Sequence, residues 1–357
     1  MPSFWQGKRV LITGHTGFKG GWLAVWLRRL GAEVAGYALP PEGEPSLFAA
    51  ARVGEGIVHV EGDLRNGGRL GRAFSDHRPE VVFHLAAQAL VRRGYRDPDG
   101  TFDVNVLGTL RLLEAVRERP EVRSVVVVTS DKCYDNREWE WPYREGDALG
   151  GRDPYAASKA CAELVTAAYR ASFLPGRGDR RVAVASARSG NVVGGGDWAE
   201  DRLVPDLLAA LAAGRPARIR SPEAVRPWQH VLEPLAGYLL LAERLWSDGE
   251  QFAGAWNFGP DERDARPVAW LADRLCAAWG GGAGWERDPE SGPHEAHLLR
   301  LDASRARARL GWAPRLRLAE ALEWVVEWHR AHAAGGDVRA VTEEQLERYA
   351  ALAPVGE

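Results

Sequence analysis

Arg9-Val-Leu-Ile-Thr-Gly14-His-Thr-Gly17-Phe-Lys-Gly20 is the stretch that decides the fold. Arg9–Thr13 has strand character and runs into Gly14-x-x-Gly17-x-x-Gly20. Beyond the glycines Trp22, Leu23, Trp26, Leu27 and Leu30 recur at helical spacing until Gly31. A glycine-rich turn between strand and helix lets backbone N–H groups and the helix N-terminus approach a diphosphate. The segment therefore reads as a dinucleotide-binding βα unit.

Outward from that unit, short apolar runs alternate with longer helical patterns, as in a parallel α/β sheet. Further strands are expected at 33–37, 57–60, 81–85, 124–129 and 181–188, with helices over 101–119 and 154–172. After Arg188 the alternation breaks. Gly194-Gly-Gly196, Pro205, Pro216, Pro222 and Pro227 cut the chain into shorter pieces, before one more strand at 255–258 and a helix at 318–331. The expected fold class is α/β: a Rossmann-like doubly wound parallel sheet over 1–188, rejoined by segments near 231–258. A smaller C-terminal substrate-binding lobe would take mainly 189–335, and a helical tail 336–357. At 357 residues the chain exceeds the usual limit of a single core, which agrees with two lobes.

The composition, 45% hydrophobic and 27% charged, is that of a soluble globular protein. A net charge of -3 gives no reason to invoke nucleic acid or an anionic membrane. Cys133, Cys161 and Cys276 form neither a metal-ligand spacing nor an even disulfide set, so no metal is expected and a reducing cytoplasm suits the chain. No run of roughly 18 apolar residues suggests a membrane span. A strand beginning at Arg9 leaves no room for a signal peptide.

Only four of the 46 basic residues are lysines, and three of these fall in chemical motifs. Lys19 lies in the glycine turn, Lys132 in Thr129-Ser130-Asp131-Lys132, and Lys159 in Tyr155-x-x-x-Lys159. A lysine kept where arginine is favoured marks a place that guanidinium, which cannot lose its proton, does not serve. Tyr155 and Lys159 share a helix face one turn apart. A nearby ammonium favours phenolate and lowers the ordinary phenol pKa of about 10, and it can also hold ribose hydroxyls.

The acidic residue that would hold a ribose 2′-hydroxyl is missing from Gly36-Tyr-Ala-Leu-Pro40, which leaves NAD and NADP both open on this reading. Lys19 or His15 can serve a 2′-phosphate or line the ribose edge. Asp63-Leu64 is placed either to meet an adenine or to make a turn. The small residues of His84-Leu85-Ala86-Ala87 admit a flat ligand against the backbone, or simply pack.

Gly14-x-x-Gly17-x-x-Gly20, His84-Leu-Ala-Ala87, Asn105-Val-x-Gly-Thr109, Thr129-Ser130, Tyr155-x-x-x-Lys159 and Asn257-Phe-Gly-Pro260 together resemble the extended short-chain dehydrogenase/reductase family. The likeness is to its nucleotide-sugar epimerase/dehydratase branch and spans most of the chain. Gly14-His-Thr-Gly-Phe-Lys-Gly20, Ser130-Asp-Lys-Cys-Tyr-Asp-Asn136 and Gly194-Gly-Gly-Asp-Trp198 narrow it to dehydratases of CDP-glucose. The resemblance implies tightly bound NAD, CDP-glucose as substrate and a hydro-lyase reaction serving deoxysugar and polysaccharide synthesis. It also implies a homodimer or homotetramer joined through helices 101–119 and 154–172.

By the same resemblance, the cofactor would meet Gly14, His15, Thr16, Gly17, Phe18, Lys19, Gly20, Asp63, Leu64, Leu85, Ala86, Ala87, Gln88, Asn105, Tyr155 and Lys159. Catalysis would fall to Thr129, Ser130, Asp131, Lys132, Tyr155 and Lys159. Tyr155 would take the C4 hydroxyl proton, Thr129 or Ser130 would hold the same oxygen, and Asp131 with Lys132 would manage the loss of water. Gln88, Asn191, Arg202, Arg226, Gln229, His230 and His294 would face the substrate. Arg226 has a plain alternative as a surface charge, and Trp198 and Trp228 read as packing residues.

Dehydratases of dTDP-glucose pair Asp with Glu where this chain has Asp131-Lys132. A lysine there acts as a base only when neutral, or as an ammonium stabilising the developing enolate, and both roles stay open. A 4-epimerase of the same branch would need no such pair. A non-catalytic dinucleotide sensor would show a damaged catalytic set, whereas Thr129, Tyr155 and Lys159 are all present.

Overall fold

The computed structural model of the chain describes residues 4–174, 182–282, 284–289 and 296–355. Seven strands form the central sheet: β1 Arg9–Thr13, β2 Glu33–Ala38, β3 Val58–Glu61, β4 Val81–His84, β5 Ser124–Val128, β6 Ala183–Ser189 and β7 Ala255–Phe258. Their order is β7-β6-β5-β4-β1-β2-β3, and every pairing is parallel. The direction of winding reverses between β1 and β4, so a crevice opens there at the carboxyl ends of the strands. Eight helices are needed to describe the site and its support: α1 Phe18–Arg29, α2 Gly67–His77, α3 Gly108–Arg117, α4 Pro154–Ser172, α5 Leu203–Ala212, α6 Leu232–Asp248, α7 Leu318–Ala333 and α8 Val338–Ala351.

Alternation along the strands feeds two cores. Val10, Ile12, Val81, Phe83 and Val126 pack on one face with Leu23 and Leu27 of α1 and Leu235 and Leu239 of α6. Leu11, Val82, Val125 and Val127 pack on the other with Leu70 and Phe74 of α2 and Leu112 and Val116 of α3. Strands covered on both faces read as continuous apolar runs, and Val125-Val-Val-Val128 is the clearest of these. A third core joins α5, the short strand Ala217–Ile219, the helix Val268–Trp279 and α7 beside the sheet. The tail helix α8 docks on α1, with Tyr349 edge-on to Trp26 at 5.8 Å.

The expected helix over 101–119 is three pieces: Pro98–Phe102, a wide turn of π type at Asp103–Leu107, and α3. At that turn Asn105 is drawn out to the loop after β4, while Gly108 closes on Leu64, where an added Cβ would stand 3.1 Å from Leu64 Cδ1. Residue 181, with which the expected sixth strand began, lies outside the described residues.

Candidate active site

The turn between β1 and α1 is built against its own backbone. Gly14 has φ +81°, and a Cβ there would stand 2.7 Å from the Ala86 nitrogen; one on Gly20 would stand 2.1 Å from Gly14 O. Gly17 is different. Its φ is -82°, and an added Cβ would meet only Gly14 O, at 3.4 Å. The fold tolerates a methyl at Gly17, so its smallness serves close approach from outside. Gly17 also caps α1 with no side-chain bond, and the first turn carries no acid, so the positive helix end keeps its orphan donors. These features fit the diphosphate of a dinucleotide.

Several residues expected at the cofactor also brace this turn and the loop after β4. Thr16 Oγ1 donates to Leu39 O at 2.8 Å. His15 lies against Gly36, bonds His59 Nδ1 at 2.7 Å, and is driven by burial down to about 3, so it is neutral. Thr13 Oγ1 contacts His84 Nδ1 at 2.7 Å and accepts from Ala86 N at 3.2 Å, which explains the His84-Leu-Ala-Ala87 motif as a brace. Asn105 gives both amide hydrogens to Gln88 O and Ser158 Oγ and accepts from Gln88 N. The Gln88 side chain turns away to Thr101 Oγ1. Asp63 is engaged with Arg65 at 2.6 Å, as a turn aspartate would be, and Leu64 is buried.

The second group of residues stands where β5 and β6 end. Asp153 caps α4 by accepting from Ala156 N at 2.9 Å, and Pro154 takes the first helical position. Tyr155, Lys159 and Glu163 then follow at successive turns on one face. Lys159 is buried, donates to Val128 O at 3.4 Å, and is lowered by burial to about 8, with Glu163 opposing. Burial raises the Tyr155 phenol above its ordinary value, and a hydrogen bond with Ser130 and the charge of Arg202 pull it back.

Thr129 and Ser130 diverge at the end of β5. Thr129 Oγ1 donates to Glu163 Oε1, whose other oxygen takes Ser186 Oγ and Arg188 Nη2, each at 2.7 Å. Ser130 faces the cavity, caps the turn Asp131–Cys133 and donates to Asp131 Oδ1 at 3.1 Å. Of the two hydroxyls read as alternatives in the sequence, only that of Ser130 is directed at Tyr155.

A cavity of about 640 Å³ collects Ser130, Asp131, Lys132 and Tyr155 with Asn191, Arg202 and Arg226, and extends to Ile219, Trp228 and Asp288. One expectation is corrected here. Gln229 and His230 form a two-residue strand paired with Val192–Val193, which turns both side chains into the interior. Gln229 donates to Phe258 O at 2.7 Å, and His230 sits edge-on to Trp22 and Trp324. Lys19, read as serving a 2′-phosphate or lining the ribose edge, donates to Ser189 Oγ at 2.9 Å and lines the cavity. His294 lies outside the described residues. Trp198 packs on Trp328, as read, and Trp228 is buried at the cavity wall.

Sequence reasoning missed Ser189, Asp197, Glu163 and Arg188. Asp197 pairs with Arg202 at 3.1 Å, and Arg188 with Glu163 at 2.7 Å. Two of them had a signal: Glu163 stands four residues beyond Lys159, and Asp197 lies within Gly194-Gly-Gly-Asp-Trp198.

Comparison with known proteins follows this geometry. A CDP-glucose 4,6-dehydratase of Salmonella typhimurium is 49% identical over 349 residues, covering 97% of each chain. The UDP-glucose 4-epimerase of Thermus thermophilus, solved as a complex with NAD, superposes with a TM-score of 0.77 at 27% identity over 92% of this chain and 99% of that one. The UDP-glucose 4-epimerase of Thermotoga maritima, solved with UDP-glucose, gives a TM-score of 0.79 at 24% identity, over 90% and 99%, a likeness of fold. Residues 10–254 match the model of the NAD dependent epimerase/dehydratase family, and the chain belongs to that family.

Proposed function

We propose that the protein removes water from CDP-glucose, giving CDP-4-dehydro-6-deoxyglucose. The observation that carries this reading is Asp131-Lys132 at the end of β5, in one cavity with Ser130 and Tyr155. The 49% identical relative supports the choice of nucleotide and reaction. Oxidation at C4 alone, as in an epimerase, gives the Asp–Lys pair no work.

The turn Gly14–Gly20 and Lys159 would hold NAD, which would supply reversible hydride chemistry between C4 and C6. Tyr155 Oη, in the phenolate form that Ser130 and the charge of Arg202 favour against burial, accepts the C4 hydroxyl proton, and Ser130 Oγ donates to the same oxygen. The resulting ketone acidifies C5–H. Lys132, while neutral, accepts that proton, and the ammonium so formed steadies the enolate. Asp131 delivers a proton to the C6 hydroxyl as it leaves, and the Lys132 ammonium returns its proton to C5 last. Arg202 and Arg226 suit the diphosphate, since guanidinium offers paired donors to phosphate oxygens.

CDP-glucose deuterated at C4 tests the reading. Product carrying the label at C6, with no net reduced cofactor, is expected; unreacted sugar or a C4 epimer would sink it. Parallel runs with the dTDP-, UDP- and GDP-sugars check the base.

We infer further that the chain works as a homodimer in a reducing cytoplasm, feeding deoxysugars to polysaccharide assembly. Leu107 and Leu164, 45% and 58% exposed on the wide turn and on α4, support a helical two-fold face. Leu164→Glu is expected to lower the mass seen by light scattering to that of one chain.

A further inference from the structure

Lys19 is a cavity lysine to which the proposed chemistry gives no task. It sits in the first turn of α1, and Nζ donates to Ser189 Oγ at 2.9 Å, a hydroxyl that also meets Tyr238 Oη at 2.9 Å. That places the ammonium across the ends of β5 and β6. The charges bearing on it are Arg202 and Lys159, and against them Asp131 and Asp197.

Asp131 is its counterpart. The carboxyl is 3% exposed; Oδ1 accepts from Ser130, and Oδ2 has no hydrogen-bond partner among the described residues. Three cations face it: Lys132 from its own turn, Arg226 from the strand Val225–Pro227, and Lys19 from α1. The Tyr155 and Tyr238 phenols and the Cys133 thiol also feel its charge. Gly190 leaves the room beside Oδ2, since a Cβ there would stand 3.1 Å away.

We propose that Lys19 is a positioning residue for Asp131, whose cation, held on Ser189, sets whether that carboxyl carries a proton when water leaves the substrate. The inference rests on the dehydratase reading, in which Asp131 must be protonated to act. Burial favours the neutral acid, and the cations oppose it. Arg226 is a fixed charge, donating to the carbonyls of Val225 and Ala296. Lys19 can give its charge up, because burial and then Arg202 bring it down to about 7. When it does, Asp131 loses a counter-charge and holds its proton more tightly, so the two titrate as a pair. Arginine cannot do this, which accounts for a lysine at this position in so arginine-rich a chain.

The test follows the Asp131 proton directly, in cofactor-loaded protein with ¹³C-labelled aspartate. The pH midpoint of its carboxyl infrared band is read by difference from Asp131→Asn, alongside the pH profile of C6 deoxygenation. In Lys19→Met both are expected to move upward by about one pH unit, because a cation near the carboxyl is gone. In Lys19→Arg neither moves upward. A merely structural role would lower the rate at every pH and leave the midpoint in place, and that result overturns the proposal. Should Lys19→Met fail to fold, Ser189→Ala, which releases the ammonium, must give a smaller upward shift; an unmoved midpoint overturns the idea equally. Parent protein that never oxidises CDP-glucose at C4 refutes the reading of function instead, and the infrared midpoint still judges the Lys19–Asp131 coupling.

Discussion

Lys132 and Lys159 do different work because their surroundings differ. Lys159 is buried under α4 with its ammonium on a strand-end carbonyl, whereas Lys132 is half-buried at the cavity, on the turn that Ser130 caps. Lys132→Met is therefore expected to leave C4 oxidation in place and slow elimination by roughly 10²- to 10⁴-fold, the usual weight of one acid–base group. Rapid quench of a single turnover checks this, through a 4-keto sugar that still holds its C6 hydroxyl. Turnover at the parent rate would remove Lys132 from the mechanism. Tyr155, Lys159 and the glycine turn were legible because their spacing is their geometry. Gln229, His230 and Lys19 were not, since a local motif does not say which way a side chain leaves a two-residue strand or a helix start. The same holds for Thr129 and Ser130, whose hydroxyls part within one step of the chain, one to Glu163 and one to Asp131.

At the scale of elements, α4 couples the site to the sheet through Glu163, whose partners are Thr129 just beyond β5 and Ser186 and Arg188 of β6. Arg188 and Glu163 are each 3% exposed, so removing one charge strands the other. Arg188→Met is expected to cost roughly 3–5 kcal/mol. Thermal melting checks this, and the double variant with Glu163→Gln should recover part of the loss. The break in the helix over 101–119 was not legible, because a wide turn keeps the apolar period and shifts only one carbonyl. The parallel strands were, because burial on both faces leaves uninterrupted valine runs.

Across the whole molecule, a buried carboxylate joins the sheet layer to the tail. Glu233 of α6 accepts from the backbone of Arg315 and Leu316 and from Tyr349 of α8. Burial pushes it up to about 7 from 4.5, so between those values the folded state binds more protons than the unfolded one. Its contribution to stability is greatest below 4.5 and is lost as pH rises through 7. Glu233→Gln, which keeps an acceptor, is expected to flatten the fall in Tm between pH 5 and 8; an unchanged slope would exclude this group as its source. The tail's docking could not be read from sequence, since a period of apolar residues does not name the surface it meets.

The position of β7 in the sheet has a consequence for synthesis. β6 is complete at Ser189 with all seven residues destined for burial, yet its outer neighbour starts only at Ala255. At roughly 5–20 residues per second, a ribosome leaves that edge unpaired for roughly 3–13 s. During that interval the nascent chain carries an open strand template, the kind of edge on which other chains add. Translation that stalls between these two strands would therefore yield aggregate rather than a shortened but folded protein.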